Sequence, residues 1–202
     1  MPEEVATSLL ASGGSIAPTQ AEATILFCDI EAFTRLTETL GPVKTVEVLN
    51  DYFSAMVEIL ERHDGVVTQF QGDAVLATFN VPIENQKHAD NAILAAIEML
   101  EKVANTRFFE QTINIRIGLN TGAVVAGAVG AQGRQSYTVH GDAVNLASRL
   151  ESLNKQHGTR VLISDTTVDR SRLDNFHKVG STEIRGQSRP VMLYTVNTDQ
   201  SV

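Results

Sequence analysis

The chain has 202 residues, with 16 Lys and Arg against 24 Asp and Glu, a net charge of −8, and no basic run anywhere. That balance argues against a nucleic-acid-binding surface, and the length suits one domain with a proper core. A single cysteine, Cys28, excludes an intramolecular disulfide framework and fits a reducing, cytoplasmic compartment; no stretch nears 18 consecutive apolar residues and no basic-then-apolar leader opens the chain, so neither a membrane span nor a secretory signal is expected.

Residues 1–22, holding Ser12-Gly13-Gly14-Ser15 and Pro18, read as a flexible linker, which implies a further segment upstream. The folded domain is expected over residues 23–196, with a short tail over 197–202. Residues 23–28 are apolar but for Thr24, predicting a buried strand that ends on Asp29. Beyond it, residues 31–36 open a helix whose free N–H groups and dipole face the end of that strand, a ready site for phosphate oxygens. Gly41-Pro42 breaks this helix and starts another, with an apolar stripe of Val46, Leu49, Phe53, Val57 and Leu60. Asp64-Gly65 stops it.

Val66 and Val67 then lead into Phe70, and residues 74–79 lead out of Gly72-Asp73, so a hairpin is predicted with Asp73 at its turn. Burying an ionised carboxylate costs several kcal/mol or more unless it is paired or bound to a cation. Asp29 and Asp73, at the ends of neighbouring strands, therefore suggest a divalent-metal site.

A helix is predicted over 85–103, with Ala92, Leu94, Ala95, Ala96, Met99 and Leu100 packing on a sheet. Residues 113–119 alternate as a strand does, and the glycine-spaced run 122–130 is expected as its antiparallel neighbour. A helix over 142–155 places Asn145 and Arg149, four apart, on one face. Short strands are expected over 160–163, 176–179 and 191–196. Neither a Walker loop nor Gly-x-Gly-x-x-Gly occurs, which disfavours the common nucleotide-binding folds.

Four strings, in order, carry a resemblance: 27–34 (FCDIEAFT), 72–74 (GDA), 118–127 (GLNTGAVVAG) and 144–149 (VNLASR) are similar to the signatures of class III adenylate/guanylate cyclase catalytic domains. The likeness runs over about residues 23–196. It implies an α+β fold with a ferredoxin-like core, a mixed, mostly antiparallel sheet with helices packed on one side, working as a head-to-tail homodimer with active sites at the subunit interface. It also implies two divalent cations, Mg²⁺ or Mn²⁺, on Asp29, Asp73 and the carbonyl of Ile30. The ribose 3′ oxygen of a nucleoside triphosphate would attack the α-phosphorus and expel pyrophosphate. Asn145 would orient the ribose and Arg149 would stabilise the α-phosphate in the transition state, both from the partner subunit. Thr34 and the N–H groups of Ala32, Phe33 and Thr34 would hold the terminal phosphates, with Arg185 as a further phosphate contact.

The resemblance assigns base reading to Gln69 and Thr138. An amide and a hydroxyl can each donate or accept, so they suit adenine in one orientation and guanine in the other. Thr at that position resembles a subgroup of mostly adenylate cyclases, which favours ATP over GTP, with turnover of both. Ala32, where the family has Gly, is expected at a negative φ. The alternatives are a guanylate cyclase, a catalytically idle nucleotide-binding module, and a diguanylate cyclase; the last is disfavoured because its Gly-Gly-Asp/Glu-Glu-Phe turn is replaced by Gln71-Gly72-Asp73-Ala74.

Overall fold

A computed structural model of the chain describes residues 18–131, 134–183 and 189–196. Strand β1 (Thr19–Ile30) lies between β3 (Ala74–Phe79) and β4 (Ile115–Ala131), antiparallel to both. Among the described residues, the sheet order is β2 (Val66–Gln71), β3, β1, β4, β6 (Val161–Ser164), β8 (Val191–Val196), β7 (Phe176–Thr182), with β5 (Arg134–His140) paired to β4 off that path. The β4–β6 pairing is parallel and the others are antiparallel.

Helices α1 (Phe33–Leu40) and α2 (Pro42–Arg62) connect β1 to β2, and α3 (His88–Asn105) connects β3 to β4. This is the expected ferredoxin-like core, with α2 and α3 on one side of the sheet. Alternate residues of a strand face opposite sides, and Leu26, Cys28 and Ile30 of β1 pack with Tyr52 and Met56 of α2 and Ile93 and Met99 of α3. Helix α4 (Asp142–His157) joins β5 to β6 and covers the alternate residues on the other face, Ala23 and Ile25 of β1 among them. A short α5 (Asp165–Arg170) follows β6. Among the described residues, no helix is long and apolar enough to cross a membrane.

Several boundaries differ from expectation for identifiable reasons. Residues 19–22, expected in the linker, are strand, because they pair with residues 123–126 of β4. The 122–130 run is not a second strand beside 113–119 but the continuation of the same one. Its glycines are close-approach positions rather than a turn: a Cβ on Gly122 would lie 3.1 Å from Ala143 Cβ, and one on Gly127 would lie 3.0 Å from Pro18. Helix α3 starts at His88 rather than residue 85. The Asn85 side chain accepts the Lys87 N–H at 2.8 Å, and Asn80 Oδ1 accepts the Asn85 N–H, so a local polar turn outcompetes the first helical turn.

The buried face of α2 is Thr45, Val48, Tyr52, Met56, Ile59 and Leu60, one residue back from the predicted stripe. Val46 is 55% exposed, and Leu49, Phe53 and Val57 are half-buried. Both arcs are apolar, and the one holding the larger Tyr52 and Met56 fills the space under the sheet, where the Tyr52 hydroxyl also meets the Cys28 thiol at 3.3 Å. Leu94, expected in the core, is exposed, while Ala92, Ala95, Ala96, Met99 and Leu100 are buried as predicted.

Candidate active site

Asp29 precedes the last residue of β1, and Asp73 occupies the two-residue turn between β2 and β3. Gly72, at φ +66°, supplies the positive φ needed at the first position of such a hairpin. Because β1 and β3 are adjacent, the two carboxylates meet. The Ile30 N–H donates to Asp29 Oδ1 at 2.9 Å and also supports the Asp73 carboxylate. Burial, then the hydrogen bond and charge of Asp29, push the Asp73 carboxyl up to about 7.

Two like charges about 4 Å apart repel by about 4 kcal/mol at an effective dielectric of about 20. Without a cation, Asp73 holds its proton far more readily than an ordinary carboxyl, and the Ile30 N–H supports both side chains. Among the described residues no three His, Cys, Asp or Glu side chains are grouped to hold a metal. Mg²⁺, however, characteristically takes one or two carboxylates and fills its shell with water and phosphate oxygens. Asp29 and Asp73 fit that donor set.

Helix α1 begins directly beyond β1, and no side chain caps its first N–H groups. Thr34 is exposed, while Phe33 packs partly into the core and fixes the first turn. Ala32 corrects an expectation: it adopts φ 56°, ψ 32°, the left-handed region, rather than a negative φ. The chain must reverse sharply between the Glu31 N–H, bonded to Asn114 O at 2.8 Å, and the first α1 bonds, which end on the Ala32 carbonyl.

Helix α4 carries Asp142 in its first turn and Lys155 and His157 in its last, matching the helix dipole, and ends on Gly158 in the left-handed conformation. Its buried face is Ala143, Leu146, Ala147, Leu150, Glu151 and Asn154. Asn145 and Arg149 are exposed on the opposite face, pointing away from their own sheet. A Cβ on Gly118 would run into the carbonyl of Ala147 and the amide of Glu151, so α4 rests directly on the β4 backbone there.

Gln69 is exposed, just past a bulge between Val67 and Gln69 in β2, and its Oε1 accepts from Gln71 Nε2 at 3.1 Å. Thr138 is half-buried in β5. Val66 of β2 and Val139 of β5 share one apolar cluster, so the two strands approach, although no hydrogen bond joins Gln69 to Thr138. Arg185 lies outside the described residues.

Two further residues belong to this region. Arg116 is the β4 partner of Asp29. Its Nε donates to Glu151 Oε1 at 3.1 Å, and its Nη1 lies 3.9 Å from Glu31 Oε1. Glu151 is 4% exposed. The available signal is a charged residue at a position of α4 that helical spacing assigns to the core.

The profile described as the adenylate and guanylate cyclase catalytic domain matches residues 16–198. Adenylate cyclase 1 of Rhizobium meliloti (strain 1021) is 35% identical over 204 residues, covering 97% of this chain and 31% of that protein. A solved bacterial light-regulated adenylyl cyclase aligns with a TM-score of 0.86 at 30% identity, over 99% of this chain and 60% of that one. The guanylyl cyclase Cya2 aligns with a TM-score of 0.79 at 32% identity, over 89% and 93%. The chain spans about a third of the length of the curated relatives it matches.

Proposed function

This chain belongs to the adenylate and guanylate cyclase catalytic-domain family, and from that premise we propose that it converts ATP to 3′,5′-cyclic AMP and pyrophosphate at sites shared between two copies of itself. The observation that carries the reading is the Asp29–Asp73 pair, two half-buried carboxylates brought together with no ion-pair partner among the described residues. With the carbonyl of Ile30, they would hold two divalent cations, Mg²⁺ or Mn²⁺. Bound there, such ions lower the pKa of the ribose 3′ hydroxyl and neutralise the phosphates and leaving group.

The remaining roles fall to this chain's own groups. The open N–H groups of Ala32, Phe33 and Thr34, with the Thr34 hydroxyl, receive the terminal phosphates. Arg185 adds a further phosphate contact. Asn145 orients the ribose, and Arg149 offers planar donors to the α-phosphate as charge develops. The 3′ oxygen forms its bond to the α-phosphorus, and the bond to the bridging oxygen of pyrophosphate breaks in line.

The exposed face of α4 supports a shared site, since Asn145 and Arg149 turn away from the sheet that holds Asp29. Exposed apolar side chains on α2 and β2 (Val43, Val46 and Phe70) and on β4 (Val125 and Val129) suit a head-to-tail pairing of two copies. Gln69 and Thr138 read the base. With Gln69 Oε1 engaged by Gln71, its Nε2 is left to donate, either to adenine N1 or to guanine O6. Discrimination is therefore weak, with ATP preferred and GTP also turned over.

The test is product formation from ATP and from GTP separately, each with Mg²⁺ or Mn²⁺, measuring cyclic nucleotide and pyrophosphate across a range of protein concentrations. Cyclic AMP as the main product supports the reading. Dominant cyclic GMP reverses the base assignment, and no cyclic product with either metal overturns the enzyme. Mixing Asp73→Ala with Arg149→Ala should restore activity at one of the two sites of the mixed dimer.

A further inference from the structure

Antiparallel register makes Arg116 the direct neighbour of Asp29, and residues so paired point to the same face of the sheet. A guanidinium beside a carboxylate ordinarily forms an ion pair with it. Here it does not: the Arg116 nitrogens come within 4 Å of Glu151, at 3.1 Å, and of Glu31, at 3.9 Å, but not of Asp29. Glu151 in turn is fixed in place. Ser152 Oγ donates to its other oxygen at 3.1 Å, and α4 is clamped to β4 on both sides of it. Asn120 Nδ2 holds the Ala143 carbonyl at 2.9 Å, Asn154 Nδ2 holds the Ile117 carbonyl at 2.9 Å, and the helix backbone rests on Gly118 between them.

We propose that Glu151 is a positioning residue for the metal site: by taking Arg116 for itself, it keeps the guanidinium off Asp29 and leaves the Asp29–Asp73 pair free for divalent cations. The inference rests on the reading of Asp29 and Asp73 as metal ligands and deepens it. An unpaired Arg116, rooted opposite Asp29, would turn onto that carboxylate and act as a built-in competitor of the metal. A carboxylate this deeply buried at a core-facing position of α4 is costly on its own, and its ion pair with Arg116 is what compensates it. Burial and then the charge of Asp29 push the Glu151 carboxyl up, and the Ser152 hydrogen bond and Arg116 offset that only in part. The pair therefore holds a charge where the helix would otherwise place an apolar side chain.

The test uses Mn²⁺ alone, titrated into the purified chain and followed by the electron paramagnetic resonance signal of the free ion. Glu151→Gln, which keeps the shape but releases Arg116, should bind Mn²⁺ about tenfold more weakly, as loss of groups around metal ligands commonly does. Arg116→Gln should bind it at least as tightly as the unaltered protein. The double variant Arg116→Gln/Glu151→Gln should return to within about threefold of it, because the competitor is gone. Thermal melts establish which variants are folded. Unchanged binding by Glu151→Gln, or a folded double variant as weak as a tenfold loss, overturns the inference; if Glu151→Gln does not fold, the Arg116→Gln and double variants decide it alone. An unaltered protein that binds no Mn²⁺ overturns the metal-site reading and this inference with it.

Discussion

Strand β1 anchors two polar clusters on its opposite faces, and they are built by opposite rules. Under α3, Thr24 Oγ1 meets His88 Nδ1 and Thr121 Oγ1, each at 2.7 Å, and Thr121 continues to Thr167 at 3.0 Å, which meets Ser164 at 3.1 Å. All five side chains are buried, and their donors and acceptors satisfy one another. On the face that α4 covers, Arg116 pairs with Glu151 and lies near Glu31, while Asp29 and Asp73 meet each other with no ion-pair partner among the described residues. The first cluster is closed and neutral, as a polar group buried for the sake of the fold must be. The second carries surplus negative charge that no described residue cancels. A fold gains no stability from that surplus, so its persistence marks the face where a cationic ligand is expected.

Removing one carboxylate should separate the two rules most sharply. Asp73→Asn keeps the hairpin and its shape, so cyclic nucleotide formation should fall by at least about a thousandfold, given that metal assistance is worth several kcal/mol. Its melting temperature should hold or rise because the repulsion with Asp29 is gone. A parallel thermal melt and product assay reads both, and a destabilised Asp73→Asn would mean that the carboxylate pair supports the fold rather than burdening it. Gly118→Ala comes next. The added methyl must displace the α4 backbone, costing about 3 kcal/mol in denaturant unfolding and disturbing the Arg116–Glu151 pair and the exposed Asn145–Arg149 face together. Thr24→Val breaks only the neutral cluster. It should cost about 2 kcal/mol by orphaning its buried partners, and leave Mn²⁺ binding unchanged.

The charged cluster's principal members were legible in the sequence because each stands at a punctuation mark: Asp29 closes an apolar run, and Asp73 follows the turn glycine. Helix α4 was equally legible, since its N-terminal Asp142, C-terminal Lys155 and His157, and Gly158 agree with its apolar spacing. What stayed hidden depends on contacts between distant segments. Arg116 and Glu151 find each other only once α4 lies on β4, and no local pattern announces that seat. Glycines 122 and 127 carry the same chemical signal whether they turn a strand or admit a neighbour, and here they admit one. The face of α2 was misjudged by one residue because two adjacent arcs are both apolar, and side-chain volume under the sheet chose between them.

The neutral cluster also predicts a pH dependence. Burial lowers the pKa of the His88 imidazole below its ordinary 6.5, with Glu22 opposing and Arg170 adding to the shift. Asp90, in the same first turn of α3, also opposes it. Below about pH 6.5 the unfolded chain therefore takes up a proton that the folded chain refuses. Stability should fall as pH drops through 6.5 toward the lowered folded value, and show no pH dependence from His88 above pH 7. His88→Gln should melt lower at pH 7.5 but lose less on going to pH 5.5, so the two melting curves converge with acid. A constant gap would remove His88 from the acid response.

The smallest expected effect concerns the hinge between β1 and α1, beside the charged cluster. An alanine in the left-handed region costs about 1 kcal/mol, because its Cβ crowds the following carbonyl. Ala32 bears that cost while its carbonyl starts α1 by accepting from Arg35 and Leu36. Ala32→Gly removes the crowding but enlarges the freedom of the unfolded chain, so the net gain should be somewhat under 1 kcal/mol, a rise of about 2 °C for a chain of this size. If the methyl serves only as an accident of sequence, KM for the nucleotide stays where it was. If it holds the N–H groups of residues 32–34 ready for phosphate, the glycine variant melts higher yet binds nucleotide more weakly. That outcome would place the strain at Ala32 with the surplus charge of Asp29 and Asp73, as a cost borne for the ligand rather than for the fold.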